Sequence, residues 1–163
     1  MKRLFMLVCV VAGAQPDVPK FEQFPATETF TGTPVAPVFK RAKDRLFRTM
    51  IRTQAEKGPN FADRYTVALW GCGSSCNGGA LIDRKTGEVL DLPFSHVGAD
   101  PGSFGDGTVA FRDEMVSFKK DSRLFVFRGC PEDDATRCGA YYYEWTGAGF
   151  KLLEKFGFVP TAR

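Results

Sequence analysis

Two pairs of cysteines set the tightest limits on what this chain can become. Cys72 and Cys76 lie in WGCGSSCNGG, Cys130 and Cys138 bracket PEDDATR, and each pair sits between two runs that read as β-strands. A fifth, Cys9, falls within MKRLFMLVCVVAGAQ, where Lys2 and Arg3 precede an apolar run and the small-x-small pattern Ala12-Gly13-Ala14. That is the pattern of a secretory leader, residues 1–14, cleaved before Gln15. Leu7 and Val8 stand where lipoprotein processing wants a small residue, so Cys9 is not read as a lipid anchor. The apolar run is also far shorter than the roughly 20 residues that span a bilayer as a helix. Export leaves four cysteines in an oxidising compartment, and the expectation is two disulfides in a periplasmic or secreted protein.

Three pairings are open. Cys72 with Cys76 and Cys130 with Cys138 is favoured, because the strands flanking each loop already bring its ends together. Chain entropy then gives about 2 kcal/mol for the shorter loop and about 2.5 kcal/mol for the longer. Three chemical readings compete with these clamps. A redox pair is normally Cys-x-x-Cys opening a helix, whereas the spacing at Cys72 has an extra residue and no helix after it. A four-cysteine zinc site has tolerable spacing on one side only, and exported thiols oxidise. A cysteine nucleophile needs a base, and the single histidine, His96, lies in a loop. The sequence therefore points to no metal and no cofactor.

Residues 15–37 contain Pro16, Pro19, Pro25, Pro34 and Pro37, which exclude a helix or a central strand. They read as an extended arm, and Phe21, Phe24 and Phe30 pin it across the rest of the molecule. From about residue 39 the spacing turns helical. Ala42, Leu46 and Met50 form one row, Phe47, Ile51 and Ala55 a second beside it, and the two together predict one apolar face ended by Gly58-Pro59. Beyond that come strand signals at 64–70, 79–83, 88–90, in part of 109–118, at 123–129, 140–145 and 150–156, with a polar, glycine-rich surface loop over 95–108. Both faces of 123–129 are apolar, which makes that strand central. The predicted fold is α+β in a single disulfide-stapled domain, 38–163: a curved antiparallel sheet, meander or partial barrel, with one N-terminal amphipathic helix packed on it.

Charge narrows the partners. Removing Lys2 and Arg3 with the leader lowers the formal charge from +3 to +1, which implies neither polyanion binding nor nucleic acid. Its distribution is uneven: residues 40–57 hold seven basic side chains and two acidic ones. Arg41, Arg45, Arg48 and Arg52 recur at helical spacing, forming a stripe for an acidic partner, a phosphate-bearing polymer or an anionic membrane surface if it is not simply a solvated face. Tyr141, Tyr143 and Trp145 share one strand face, a platform for a protein or glycan if exposed and core if not. His96, with Asp91 and Asp100 close in sequence, is the one candidate for acid–base catalysis. Asp100, Asp106, Asp113 and Glu114, and Glu132, Asp133 and Asp134, lack the alternating spacing of a calcium loop and read as solvated turns.

The stretch GPNFADRYTVALWGCGSSCNGGALIDRKTGEVLDLPF, residues 58–94, resembles a group of small exported bacterial proteins of uncharacterised function. The resemblance rests on Asn60-Phe61-Ala62, on the strand ending Trp70-Gly71-Cys72-Gly73, on Cys76, and on Asp83-x-Lys85-Thr86-Gly87-x-Val89. It covers about a quarter of the chain, with a weaker match in the basic helix. Similar sequences often carry Gly-His where this one has Asp63-Arg64, which removes the histidine a catalytic reading of the motif needs. The resemblance implies export and a bacterial source, and no activity. Clamped loops on a sheet without a complete catalytic constellation read as a monomeric binding or inhibitory module for a protein or glycan of the cell envelope. The alternative is an envelope hydrolase using His96 with a loop carboxylate.

Overall fold

The computed structural model describes residues 18–73, 76–98 and 115–157. The leader and most of the glycine-rich span, with Asp100, Asp106, Asp113 and Glu114, lie outside the described residues.

The β-branched and aromatic run YTVALW forms strand β1 (Tyr65–Gly73), which pairs antiparallel with β2 (Cys76–Asp83). The register shifts between Gly71 and Gly73, and the Cys72–Cys76 disulfide closes the hairpin there with a Cα–Cα distance of 5.2 Å. The next turn uses Gly87, whose φ of 77° suits glycine, and its N–H donates to Asp83 O at 2.8 Å. That turn returns β3 (Val89–Leu90) onto β2. Then follow β4 (His96–Gly98), β5 (Val116–Phe118), β6 (Leu124–Pro131), β7 (Gly139–Trp145) and β8 (Phe150–Gly157). The eight strands make one open antiparallel sheet in the order β1-β2-β4-β6-β7-β8, with β3 on β2 and β5 on β6. β6 is central, as its two apolar faces require. The second disulfide, Cys130–Cys138, spans the β6–β7 connection.

Strand β4 departs from the expectation of a surface loop over 95–108. It has three residues and one fully buried apolar side chain, Val97, too little for a period-two signal. Yet it joins the two halves of the sheet, pairing with β2 on one side and β6 on the other. Those halves fold over one another. Four strand spacings in a flat sheet would set β1 and β7 about 19 Å apart, whereas the rings of Tyr65 and Trp145 are 5.2 Å apart. Phe61, Phe125 and Phe127 are fully buried between the halves.

Each outer face has its own cover. Residues 18–38 cross the second half: Phe21 and Phe24 pack on Leu124, Val126 and Tyr142, and Ser122 Oγ donates to the carbonyls of both phenylalanines at 2.9 and 3.0 Å. Two short helices, α1 (Ala42–Leu46) and α2 (Arg48–Ala55), lie over the first. Here the expectation of one helix with one broad apolar face is corrected. The chain breaks at Phe47, and only Ile51 and Ala55 of the six apolar positions are buried, while Leu46 is 80% and Met50 53% exposed. The reason is the width of the floor: Ala68, Ala80 and Ile82 admit a single row of side chains. Gly58 ends α2 as predicted, at φ 86°.

Candidate functional site

A concavity lies where α1 and α2 meet the open side of β2. Its volume is about 510 Å³, and its floor consists of Phe47, Ile51, Trp70, Leu92 and Phe94. Two glycines make room for it. A Cβ on Gly78 would lie 2.7 Å from Trp70 Nε1, and one on Gly79 would lie 2.5 Å from Leu92 Cδ1 and 2.9 Å from Ala68 O. The Trp70 indole therefore lies against bare backbone and stacks on Phe47, with ring centroids 4.5 Å apart.

The rim is polar. Arg41 Nε and Nη2 donate to the two oxygens of buried Asp44 at 2.8 Å, while Nη1 donates to Asp91 Oδ2 at 2.8 Å and Nη2 also to Val89 O at 3.1 Å. Lys43 Nζ donates to Asp91 Oδ1 at 2.6 Å. The bond to Asp44, above all, raises the Arg41 guanidinium, with burial acting against it. Burial alone would raise Asp91, but the bonds from Lys43 and Arg41 outweigh it and hold that carboxyl below its ordinary value. On the opposite rim Glu132 pairs with Arg137 at 3.0 Å and accepts from the Ser95 N–H at 3.1 Å.

Beside this rim the structure assembles three polar side chains. Ser95 Oγ lies 3.2 Å from His96 Nδ1, and His96 Nε2 lies 3.2 Å from Asp133 Oδ2. The carboxylate partner of His96 is thus Asp133. Asp91 is held by Arg41 and Lys43, and Asp100 lies outside the described residues. Asp133 is placed by two consecutive non-glycine residues at positive φ, Glu132 at 57° and Asp133 at 55°. Gly98 leaves it room, since a Cβ there would sit 2.1 Å from Asp133 Oδ1. Ser95 and Glu132 line the cleft.

The other sequence candidates separate. Tyr141 and Trp145, 5% and 3% exposed, belong to the central core, with half-buried Tyr143 packed against it, so that face is no exposed platform. The arginine stripe divides: Arg41 ties the helices to residues 89–91, Arg52 lies over the Phe39 ring at 5.1 Å, and Arg45 and Arg48 are exposed. In the second cysteine loop Asp134 Oδ1 accepts from the Thr136 N–H and hydroxyl at 2.9 and 2.7 Å, bonds that lower its carboxyl. Among the described residues no three His, Cys, Asp or Glu side chains are grouped to hold a metal ion, and no helix is long and apolar enough to cross a membrane.

The sequence reading missed the cleft and Asp133. Gly78-Gly79 in mid-strand, beside a tryptophan, was the available signal for the first. The second had none, because Asp133 reaches His96 from the far cysteine loop. Comparison of the chain with protein families, with curated proteins and with solved structures found no match in any of the three.

Proposed function

We propose that the chain is an exported binding module of the bacterial envelope whose cleft receives a protein or glycan partner, with an apolar side chain of a protein as the preferred guest. The observation that carries this is the cleft of about 510 Å³ floored by Phe47, Ile51, Trp70, Leu92 and Phe94. An apolar floor beneath a rim of polar groups held in place is the usual form of a ligand site. Because Asp91 and Glu132 are already paired, shape and apolar contact decide affinity more than charge does. If the partner is an enzyme, occupancy of its specificity pocket from this surface makes the module an inhibitor.

Selection from a displayed peptide library on the mature chain tests the reading. Peptides with an aromatic or branched aliphatic anchor are expected, with Phe47→Glu lowering affinity by about tenfold or more, or 1.4 kcal/mol. Lack of enrichment, or equal binding by Phe47→Glu, rejects it. Export has its own test: secreted material begins at Gln15 and has no reactive thiol, and recovery of intact Met1, or of four free thiols in the secreted material, removes the envelope reading.

One observation favours a hydrolase as the second reading. The Ser95–His96–Asp133 contacts would let His96 take the Ser95 proton while Asp133 orients the ring. A fluorophosphonate probe should then label Ser95 and fail on His96→Ala. An unlabelled wild-type chain eliminates this version.

A further inference from the structure

The two edges of the sheet are not equally protected. On β8 the edge carries exposed Lys151 and Lys155, and the register with its neighbour β7 shifts between Tyr142 and Tyr143. Among the described residues β1 pairs only with β2, and its other side is covered along part of its length. Tyr65 N–H donates to Phe61 O at 2.9 Å and Tyr65 O accepts from the N–H groups of Asn60 and Phe61, while the Asn60 side chain holds both backbone groups of Val67. Tyr65 and Val67 therefore turn their backbone groups away from β2. The β1–β2 register runs unbroken to Gly71, so strand alternation turns the N–H and C=O of Leu69 and Gly71 the same way. Among the described residues none of those four groups has a hydrogen-bond partner. Space is open there as well: a Cβ on Gly71 or Gly73 would meet nothing within 4 Å. Residues 69–73 hold no charge and no proline, the usual guards of a bare edge, and the Cys72–Cys76 disulfide fixes their end of the hairpin.

We propose that residues 69–73 receive an extended, acidic segment of a partner polypeptide as an added strand beside β1, hydrogen-bonded to Leu69 and Gly71. Backbone groups that recur every second residue, about 7 Å apart, are matched by another extended backbone, which offers its own N–H and C=O at the same interval. Glycine at position 71 lets that backbone approach closely. Charge decides between a foreign segment and a second copy. Helix α2 lies on β1, with Ile51 against Ala68, and within Arg48–Ala55 it carries Arg48 and Arg52 and no acid. Edge-to-edge pairing of two copies would set two such helices side by side, whereas an acidic segment complements them. None of Leu69, Gly71 and Gly73 lines the cleft, so the two surfaces are separate.

Selection from a displayed random-peptide library on the Phe47→Glu chain, whose cleft is spoiled, tests the edge apart from the cleft. Acidic peptides are expected, bound more weakly as salt rises. A selected peptide at about 100 times its Kd should slow amide exchange at Leu69 and Gly71 by about a hundredfold. N-methylation of one alternate set of its residues should abolish binding, and of the intervening set should not. Gly71→Pro removes an outward donor that β2 does not use, and is expected to abolish binding with near-ultraviolet dichroism unchanged. Should that variant not fold, exchange and N-methylation decide the matter on the chain without it. Lack of enrichment overturns the proposal, as does enrichment without an excess of acids, protection of other amides in place of these two, or binding that survives N-methylation of either set. A concentration-dependent dimer that protects the same amides without peptide overturns it too, since the occupant is then a second copy.

Discussion

Asp83 shows how one motif residue serves the fold. Its carboxylate accepts from Arg64 Nε and Nη2 at 2.8 and 2.6 Å, from the Lys85 N–H at 2.9 Å and from the Thr86 hydroxyl at 3.0 Å. Burial would raise this carboxyl, but those four bonds outweigh it and hold it below the ordinary value. Because the folded value lies below the unfolded one of about 3.9, its stabilisation is fully present above pH 4 and is lost as pH falls through the folded value. Asp83→Asn is therefore expected to lose roughly 3 kcal/mol in urea titrations at pH 7, with a smaller difference from wild type in acid. Arg84, the next residue, behaves oppositely. It is 5% exposed, its Nε and Nη1 have no hydrogen-bond partner among the described residues, and burial pushes the guanidinium down. Removing these two buried, unsatisfied donors should stabilise, so Arg84→Met is expected to gain about 1 kcal/mol or more, read as a higher Tm. The Asp-x-Lys-Thr-Gly pattern was legible as a turn. That one of two adjacent residues is fully paired while the other, among the described residues, has two unsatisfied nitrogens was not, because Arg64 is brought to Asp83 by the β1–β2 register.

At the scale of elements, the strands were the most legible part. Their β-branched and aromatic runs and their glycine turns are local signals, and they recur in β1, β2, β6, β7 and β8 at nearly the expected residues. The Asn60-Phe61-Ala62 motif belongs to the same scale. The Asn60 side chain donates to Val67 O at 3.1 Å and accepts from Val67 N–H at 2.7 Å, occupying part of the free edge of β1 as a neighbouring strand would. On the opposite edge β8 carries Lys151 and Lys155, both exposed, which disfavours edge-to-edge pairing. The helices were legible by period but not by face. Ile51→Ala should cost about 2–5 kcal/mol in thermal or urea unfolding, whereas Met50→Ala should stay within roughly 0.5 kcal/mol of wild type. A loss at Met50 as large as that at Ile51 would contradict the assignment of the two faces.

For the whole molecule the decisive feature is the folding of the sheet about β4 and the aromatic core this encloses. Phe61 meets Phe118, Phe125 and Phe150 at centroid distances of 6.3, 6.0 and 6.3 Å and so touches three separate strands. Phe61→Ala is expected to cost about 3–5 kcal/mol and to broaden the unfolding transition. An unchanged Tm would mean that the halves are held by β4 alone. By itself the sequence determined the strands, the turns, the favoured cysteine pairing and the helical period, since each rests on residues within a dozen positions of one another. Only the tertiary structure decided which row of the helix is buried, which acid His96 meets, and that a cleft opens beside Trp70. Those outcomes depend on which surfaces come together when distant strands pair, and no local pattern of side chains encodes that distance.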